Sequence, residues 1–178
     1  MIFYSGFSLK NESYFFENWL NTSDYTVAGF SYGAIKAAQH VVNTNSRIDT
    51  LQLFSPAFFQ TQTQAFKKLQ LRAFGTSPQE YREKFLTTCF SPYCSCAVEL
   101  NHEHNSEDLS TLLHFVWDKV LMQKIINKGV RIEVFLGLED KVVDAISAQD
   151  FFLPFATVTS IRTGNHFLQM SSECSPVN

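Results

Sequence analysis

The stretch Tyr25-Thr26-Val27-Ala28-Gly29-Phe30-Ser31-Tyr32-Gly33-Ala34-Ile35-Lys36-Ala37-Ala38 decides how this chain is read. Tyr25 to Ala28 has the composition of a short buried strand, and the alanine-rich run from Gly33 to Val42 that of a helix. Between them lies a G-x-S-x-G pattern. A serine held at a sharp strand-to-helix turn sits on a strained backbone, so the residues two positions to either side must be small. Gly29 and Gly33 meet that need. The start of the helix then turns free N–H groups and a positive dipole end toward the hydroxyl. Ser31 is therefore the candidate nucleophile. The competing reading is a glycine-rich turn with a passive serine.

Working outward, strand and helix signals alternate. Upstream, Ile2-Phe3-Tyr4 reads as a strand running into Ser5-Gly6-Phe7-Ser8. Asn11 or Ser13 then caps a predicted helix with Phe15, Phe16, Trp19 and Leu20 on one face. Downstream, Thr50 to Phe54 is a strand closed by Ser55-Pro56. Ala57 to Phe74 has helical spacing and is followed by Gly75. Ser77-Pro78-Gln79-Glu80 carries a cap, a first-turn proline and a capping-box glutamate. Cys89 to Asn105 reads as irregular. One long helix is predicted from about Ser106 to Lys128, stopped by Gly129. Val130 to Leu136 is the clearest strand. Asp144 caps a helix through Phe152, and Thr157 to Ile161 is a last strand before Thr163-Gly164-Asn165-His166. This alternation predicts one α/β domain: about five mostly parallel strands flanked by helices. Its core spans 1–55 and 129–178, and a helical lid insertion spans 56–128.

A nucleophilic serine needs a base, and the base needs an orienting acid. With the serine on an early strand-to-helix turn, the acid and then the histidine follow in chain order. His166, after the last strand, is the candidate base. His40 lies in the helix behind the elbow, and His102, His104 and His114 read as surface or packing residues of the insertion. Asp140, at the turn after the penultimate strand, is the candidate acid. Its rivals are Glu139, on the opposite side if the backbone stays extended, and Asp144, already occupied as a helix cap. The oxyanion needs two backbone N–H donors. Tyr32, after the nucleophile, supplies one, and Phe7, in the loop after the first strand, supplies the other.

Composition narrows the remaining classes. The net charge of −3 provides no global basic field for nucleic acid. No apolar run approaches the ~20 residues that span a bilayer. Met1 to Gly6 lacks the basic and long apolar regions of a signal peptide, so a cytoplasmic location with reduced thiols is expected. Cys89, Cys94 and Cys96 before His102 and His104 have spacings that fit zinc poorly, so no metal is expected. Eighteen Phe residues are a large aromatic content for 178 residues, read as bulky core, as lining for a chain-like ligand, or as both. Phe58, Phe59, Phe66 and Phe74 are the candidates for the lining. Lys67, Lys68 and Arg72 are candidates for docking an acidic partner, with a solvated charged face as the alternative.

These residues resemble the α/β-hydrolase family along the whole chain. A narrower resemblance rests on Ser5-Gly6-Phe7 followed by Asn11-Glu12-Ser13, on Gly29 to Ala37, Leu53-Phe54-Ser55-Pro56, Ala65 to Leu71, and Gly129 to Leu138. There the chain is similar to the short pimeloyl-[acyl-carrier protein] methyl ester esterases of biotin synthesis (BioV type). The resemblance implies a reduced α/β-hydrolase fold, an acyl carrier protein as partner, and hydrolysis of the methyl ester at the far end of a carrier-bound pimeloyl chain. Ser31 would attack, His166 would move the proton, Asp140 would hold the imidazole, and Phe7 and Tyr32 N–H would bind the oxyanion. Two other readings stand beside it: a thioesterase or small-ester carboxylesterase of the same fold, and a non-catalytic hydrolase-like binding protein. The family's usual oxyanion-loop His-Gly is Ser5-Gly6 here, and strands that usually precede and separate these elements are absent. The first strand is then an exposed edge that an oligomer could cover.

Overall fold

Alternation along the strands splits the apolar residues between two faces. In chain order the strands are β1 (Ile2–Tyr4), β2 (Leu9–Lys10), β3 (Thr26–Phe30), β4 (Thr50–Phe54), β5 (Glu99–Leu100), β6 (Arg131–Gly137) and β7 (Thr157–Ile161). The structure, a computed structural model, describes residues 1–172. Five strands form one parallel sheet in the order β1-β3-β4-β6-β7, and β2 pairs with β5 as a separate antiparallel ribbon. The helices are α1 (Tyr32–Asn43), α2 (Gln64–Thr76), α3 (Pro78–Phe90), α4 (Ser106–His114), α5 (Lys119–Asn127) and α6 (Ala145–Phe152). This is the reduced parallel α/β architecture expected from the sequence. β1 lies at one edge of the sheet.

On one face Val27, Leu51, Leu53, Ile132, Val134 and Leu136 share a core with residues of α1, α5 and α6. On the other, Ala28, Phe30, Phe54 and Phe135 meet Phe16, Phe90, Phe167 and Leu168. Here an aromatic stack replaces a flanking layer of long helices. Phe16 lies 4.6 Å from Phe54, Phe54 4.9 Å from Phe135, Phe30 5.0 Å from Phe167, and Phe90 4.5 Å from Phe167. Each such pair adds about 0.5–1.5 kcal/mol beyond the area it buries. Much of the phenylalanine content is therefore cover for this second face.

Several elements differ from the sequence reading. The first predicted helix is a 3-10 segment, Glu12–Phe16, whose preceding Asn11 is left-handed (φ 60°) and makes no side-chain cap bond. Residues 57–63 are not helical, because Ala57 N–H donates to the Ser31 carbonyl at 3.1 Å; Thr63 starts α2 by accepting from Phe66 N–H. Gly75 lies within α2 rather than after it, and Ser77 joins α2 directly to α3 without a side-chain cap. The long predicted helix breaks at residues 115–118. Trp117 is buried there, with its indole N–H on Ala57 O at 2.9 Å and its backbone N–H on Gln60 Oε1 at 2.7 Å. Asp118 recaps the chain by accepting from Leu121 N–H, and α5 then packs against α1. Cys89 and Cys94 are free thiols, the first buried and the second exposed. Cys174 lies outside the described residues. No described helix is long and apolar enough to cross a membrane.

Candidate active site

β3 carries the chain to Ser31, which adopts φ 51° and ψ −113°. That conformation is costly for a non-glycine residue and is held from both sides. Ser31 N–H donates to Phe54 O at 2.9 Å, and Ser31 O accepts from Ala34 and Ala57 N–H, each at 3.1 Å. The flanking glycines are required sterically. A Cβ on Gly29 would stand 2.2 Å from Gly33 O, and one on Gly33 would stand 1.9 Å from Tyr4 O.

The turns after β6 and β7 bring the other two side chains to the serine. Gly137 lets these turns touch, since a Cβ there would lie 2.2 Å from Asn165 O. Asn165 is fully buried and its amide donates to Phe90 O at 2.8 Å and to Gln169 Oε1 at 2.9 Å, which fixes the loop carrying His166. Asp140 Oδ1 accepts Val142 N–H at 2.7 Å and Val143 N–H at 3.1 Å. Its Oδ2 is left for the ring, 2.6 Å from His166 Nδ1. His166 Nε2 lies 3.0 Å from Ser31 Oγ. A carboxylate only accepts, so Nδ1 carries the ring proton and Nε2 is free to accept the serine's. The His166 and Asp140 side chains are 0% and 1% exposed, and Ser31 is 2% exposed. Glu139 instead pairs with Lys141 at 3.0 Å, and Asp144 caps α6 through Ser147 N–H at 3.0 Å.

No family model and no curated protein matches this sequence. Among solved structures, the chain is similar to BioG from Haemophilus influenzae, at 13% identity and TM-score 0.60 over 94% of this chain and 88% of that one. It is similar to E-2-(acetamidomethylene)succinate hydrolase at 12% identity and TM-score 0.56, over 93% and 84% of the two chains. It is also similar to naproxen esterase (carboxylesterase NP) from Bacillus subtilis, at 18% identity and TM-score 0.53, over 82% of this chain and 54% of that one. This chain has the α/β-hydrolase fold.

In this α/β-hydrolase fold the loop after β1 passes beside the elbow. Phe7 and Tyr32 pack edge to face with ring centroids 6.3 Å apart. Neither backbone N–H is engaged by an acceptor among the described residues, as an oxyanion site requires. The loop is anchored by a residue that sequence reasoning passed over. Glu12 is fully buried, and its Oε1 accepts Gly6 N–H at 2.7 Å while Oε2 has no partner among the described residues. Burial pushes the Glu12 carboxyl above its ordinary value, against the pull of the Gly6 N–H. The folded state thus favours the neutral acid. Its contribution to stability is full below the unfolded value near 4.5 and is lost as pH rises through the raised folded value. Glu12→Gln, which cannot ionise, is expected to gain stability relative to wild type as pH rises from 4 to 7, read by urea denaturation at each pH. A pH-independent difference would contradict the burial of this carboxyl.

Helices α2, α3 and α4 border a cavity of about 450 Å³ whose walls include Phe7, Phe59, Phe66, Leu109, Leu112 and Val142. Phe7 and Val142 come from the two loops that flank Ser31 and Asp140. Of the four phenylalanines expected there, Phe59 and Phe66 line it. Phe58 does not, because it packs against Phe151 and Phe152. Phe74 does not either, because Phe7 and Tyr81 enclose its ring. Lys68 and Arg72 are exposed on α2, but Lys67 is buried at 5% exposure and presents no docking charge. Lys84 and Lys141, which sequence reasoning did not single out, lie on the cavity wall and reach solvent. The described residues contain no group of three or more His, Cys, Asp or Glu side chains able to hold a metal ion.

Proposed function

We propose that this chain is a serine carboxylic ester hydrolase that cleaves the methyl ester of a pimeloyl chain borne by an acyl carrier protein. The observation that carries the reaction class is the buried hydrogen-bonded series Ser31–His166–Asp140 on a strained elbow. His166 Nε2 takes the hydroxyl proton as Ser31 Oγ attacks the ester carbonyl. The oxyanion is met by Phe7 and Tyr32 N–H, and the same proton passes to the departing methoxide, releasing methanol. Water, deprotonated by His166, then attacks the acyl-enzyme and frees the carboxylate. Asp140 holds the ring and stabilises its charged form. No step calls for a metal or an organic cofactor.

The substrate reading is supported by the sequence resemblance, by the structural likeness to BioG from Haemophilus influenzae, and by the cavity. At about 450 Å³ the cavity falls within the usual range for small-molecule sites, and its walls are mostly apolar. Comparing turnover of pimeloyl-carrier methyl ester, a carrier thioester and a short nitrophenyl ester tests it. The methyl ester should lead; faster turnover of the thioester would replace this substrate with that one.

The partner reading rests on the exposed cations of α2. Lys68→Glu/Arg72→Glu is expected to raise KM for the carrier-linked ester about tenfold or more at low salt, leaving nitrophenyl ester hydrolysis within about twofold. Carrier-linked turnover that survives the double reversal at moderate salt would remove α2 from the docking surface.

A further inference from the structure

His104 belongs to the insertion, between β5 and α4, yet it lies against the loop that carries Phe7. Its ring stacks on Phe7 with centroids 5.3 Å apart at 19°, and it lies edge to face with Tyr32, centroids 5.6 Å apart. His104 Nδ1 accepts the N–H of Ser8, the residue after Phe7, at 2.8 Å. Ser8 has φ 58°, a strained value for a serine. Arg82, on α3, completes the contact: its Nε donates to Ser8 Oγ at 3.1 Å and its Nη2 to His104 O at 2.8 Å.

Peptide planarity turns these bonds into an orientation. Glu12 fixes the Ser5–Gly6 peptide through Gly6 N–H, and His104 fixes the Phe7–Ser8 peptide through Ser8 N–H. The plane between them, Gly6–Phe7, carries the Phe7 N–H. With both neighbours pinned, that N–H has little freedom left. We propose that His104 is a positioning residue that, with Arg82, aims the Phe7 N–H at the oxyanion formed on Ser31, so that the oxyanion site is complete only while the insertion is docked on the core. This rests on the serine hydrolase reading above.

The ring accepts at Nδ1 only while neutral. Lys36 Nζ on α1, 3.3 Å from Nε2, and Arg82 on α3 oppose a positive ring; Asp108 on α4 and neighbouring Glu103 favour one; Tyr32 presents a neutral phenol. Burial, followed by Lys36, leaves His104 below its ordinary value. The contact to Ser8 is thus intact above the unfolded value near 6.5 and is given up only as pH falls through the lowered folded value.

The rate constant for fluorophosphonate labelling of Ser31 tests the proposal without any substrate, because the phosphoryl oxygen occupies the oxyanion site. His104→Phe keeps a stacked ring and removes the acceptor; it should label at least about tenfold more slowly at pH 8, with kcat for a nitrophenyl ester falling alongside and KM nearly unchanged. His104→Asn restores an acceptor and should recover most of the loss. Labelling of His104→Phe at the wild-type rate would overturn the proposal, as would equal losses in His104→Phe and His104→Asn. If His104→Phe fails to melt cooperatively, Arg82→Gln replaces it, and an unchanged labelling rate there overturns the proposal too. A folded wild type that does not label would instead overturn the hydrolase reading itself.

Discussion

Ser31→Ala is expected to fold like the wild type and to lose ester hydrolysis by about 10⁴-fold or more. The loss follows from geometry. Ser31 Oγ is the only hydroxyl placed 3.0 Å from His166 Nε2 among the described contacts, and the ring's other nitrogen is taken by Asp140. Folding should be spared because the serine's structural work is done by its backbone: its N–H on Phe54 O and its carbonyl under Ala34 and Ala57. Alanine keeps all three bonds. What changes is the unpaired Nε2 of a fully buried ring, a cost of about 1–3 kcal/mol. The checks are kcat on a nitrophenyl ester and intact mass after fluorophosphonate treatment, where wild type should gain one adduct and the variant none. Labelling of Ser31→Ala at another residue, with activity retained, would move the nucleophile elsewhere and end the mechanism proposed here.

The elbow was legible because its determinants are local. Steric demand two residues either side of Ser31 is written into the sequence as Gly29 and Gly33, and the order of Asp140 and His166 follows from the order of the strands. The parallel sheet was legible for a similar reason, since each strand carries its own apolar pattern. What escaped was set by contacts distant in sequence. The sequence leaves His104 as a surface or packing residue and does not say which, because its partner Ser8 lies 96 positions away. Trp117 broke a well-patterned helix because its indole N–H finds Ala57 O, 60 positions upstream. Lys67 looked like one member of a charged cluster, but adjacent helix positions diverge by about 100°, so its neighbour Lys68 faces solvent while Lys67 turns inward. Phe58 and Phe74 have the same residue type as Phe59 and Phe66. Only the packing of α6 against Phe58, and of Phe7 and Tyr81 against Phe74, separates core from cavity wall.

Gly33→Ala should have the largest effect on stability of any single methyl added to this chain. The new Cβ would sit 1.9 Å from Tyr4 O and 2.6 Å from Ser5 O, both backbone atoms. Neither atom can yield cheaply. Tyr4 is held in register with Gly29 by the β1–β3 pairing, and Ser5 leads directly into the loop pinned by Glu12 and His104. Relief requires either α1 to move off the sheet or β1 to shift, and both routes displace the Phe7 N–H from Ser31. The expected result is a loss of at least about 3 kcal/mol of stability, above the usual range for overpacking because the clash is with backbone. Fluorophosphonate labelling should be nearly abolished in whatever fraction remains folded. Gly75→Ala is the control: it lies within α2, its Cβ would meet nothing within 4 Å, and helix propensity alone should stabilise the chain by up to about 1 kcal/mol with labelling unchanged. The contrast between the two glycines, read by urea denaturation and labelling rate together, separates a steric requirement of the elbow from a general intolerance of alanine. A Gly33→Ala variant within 1 kcal/mol of wild type that labels normally would mean that β1 and the loop carrying Phe7 yield readily, leaving His104 no rigid loop to position.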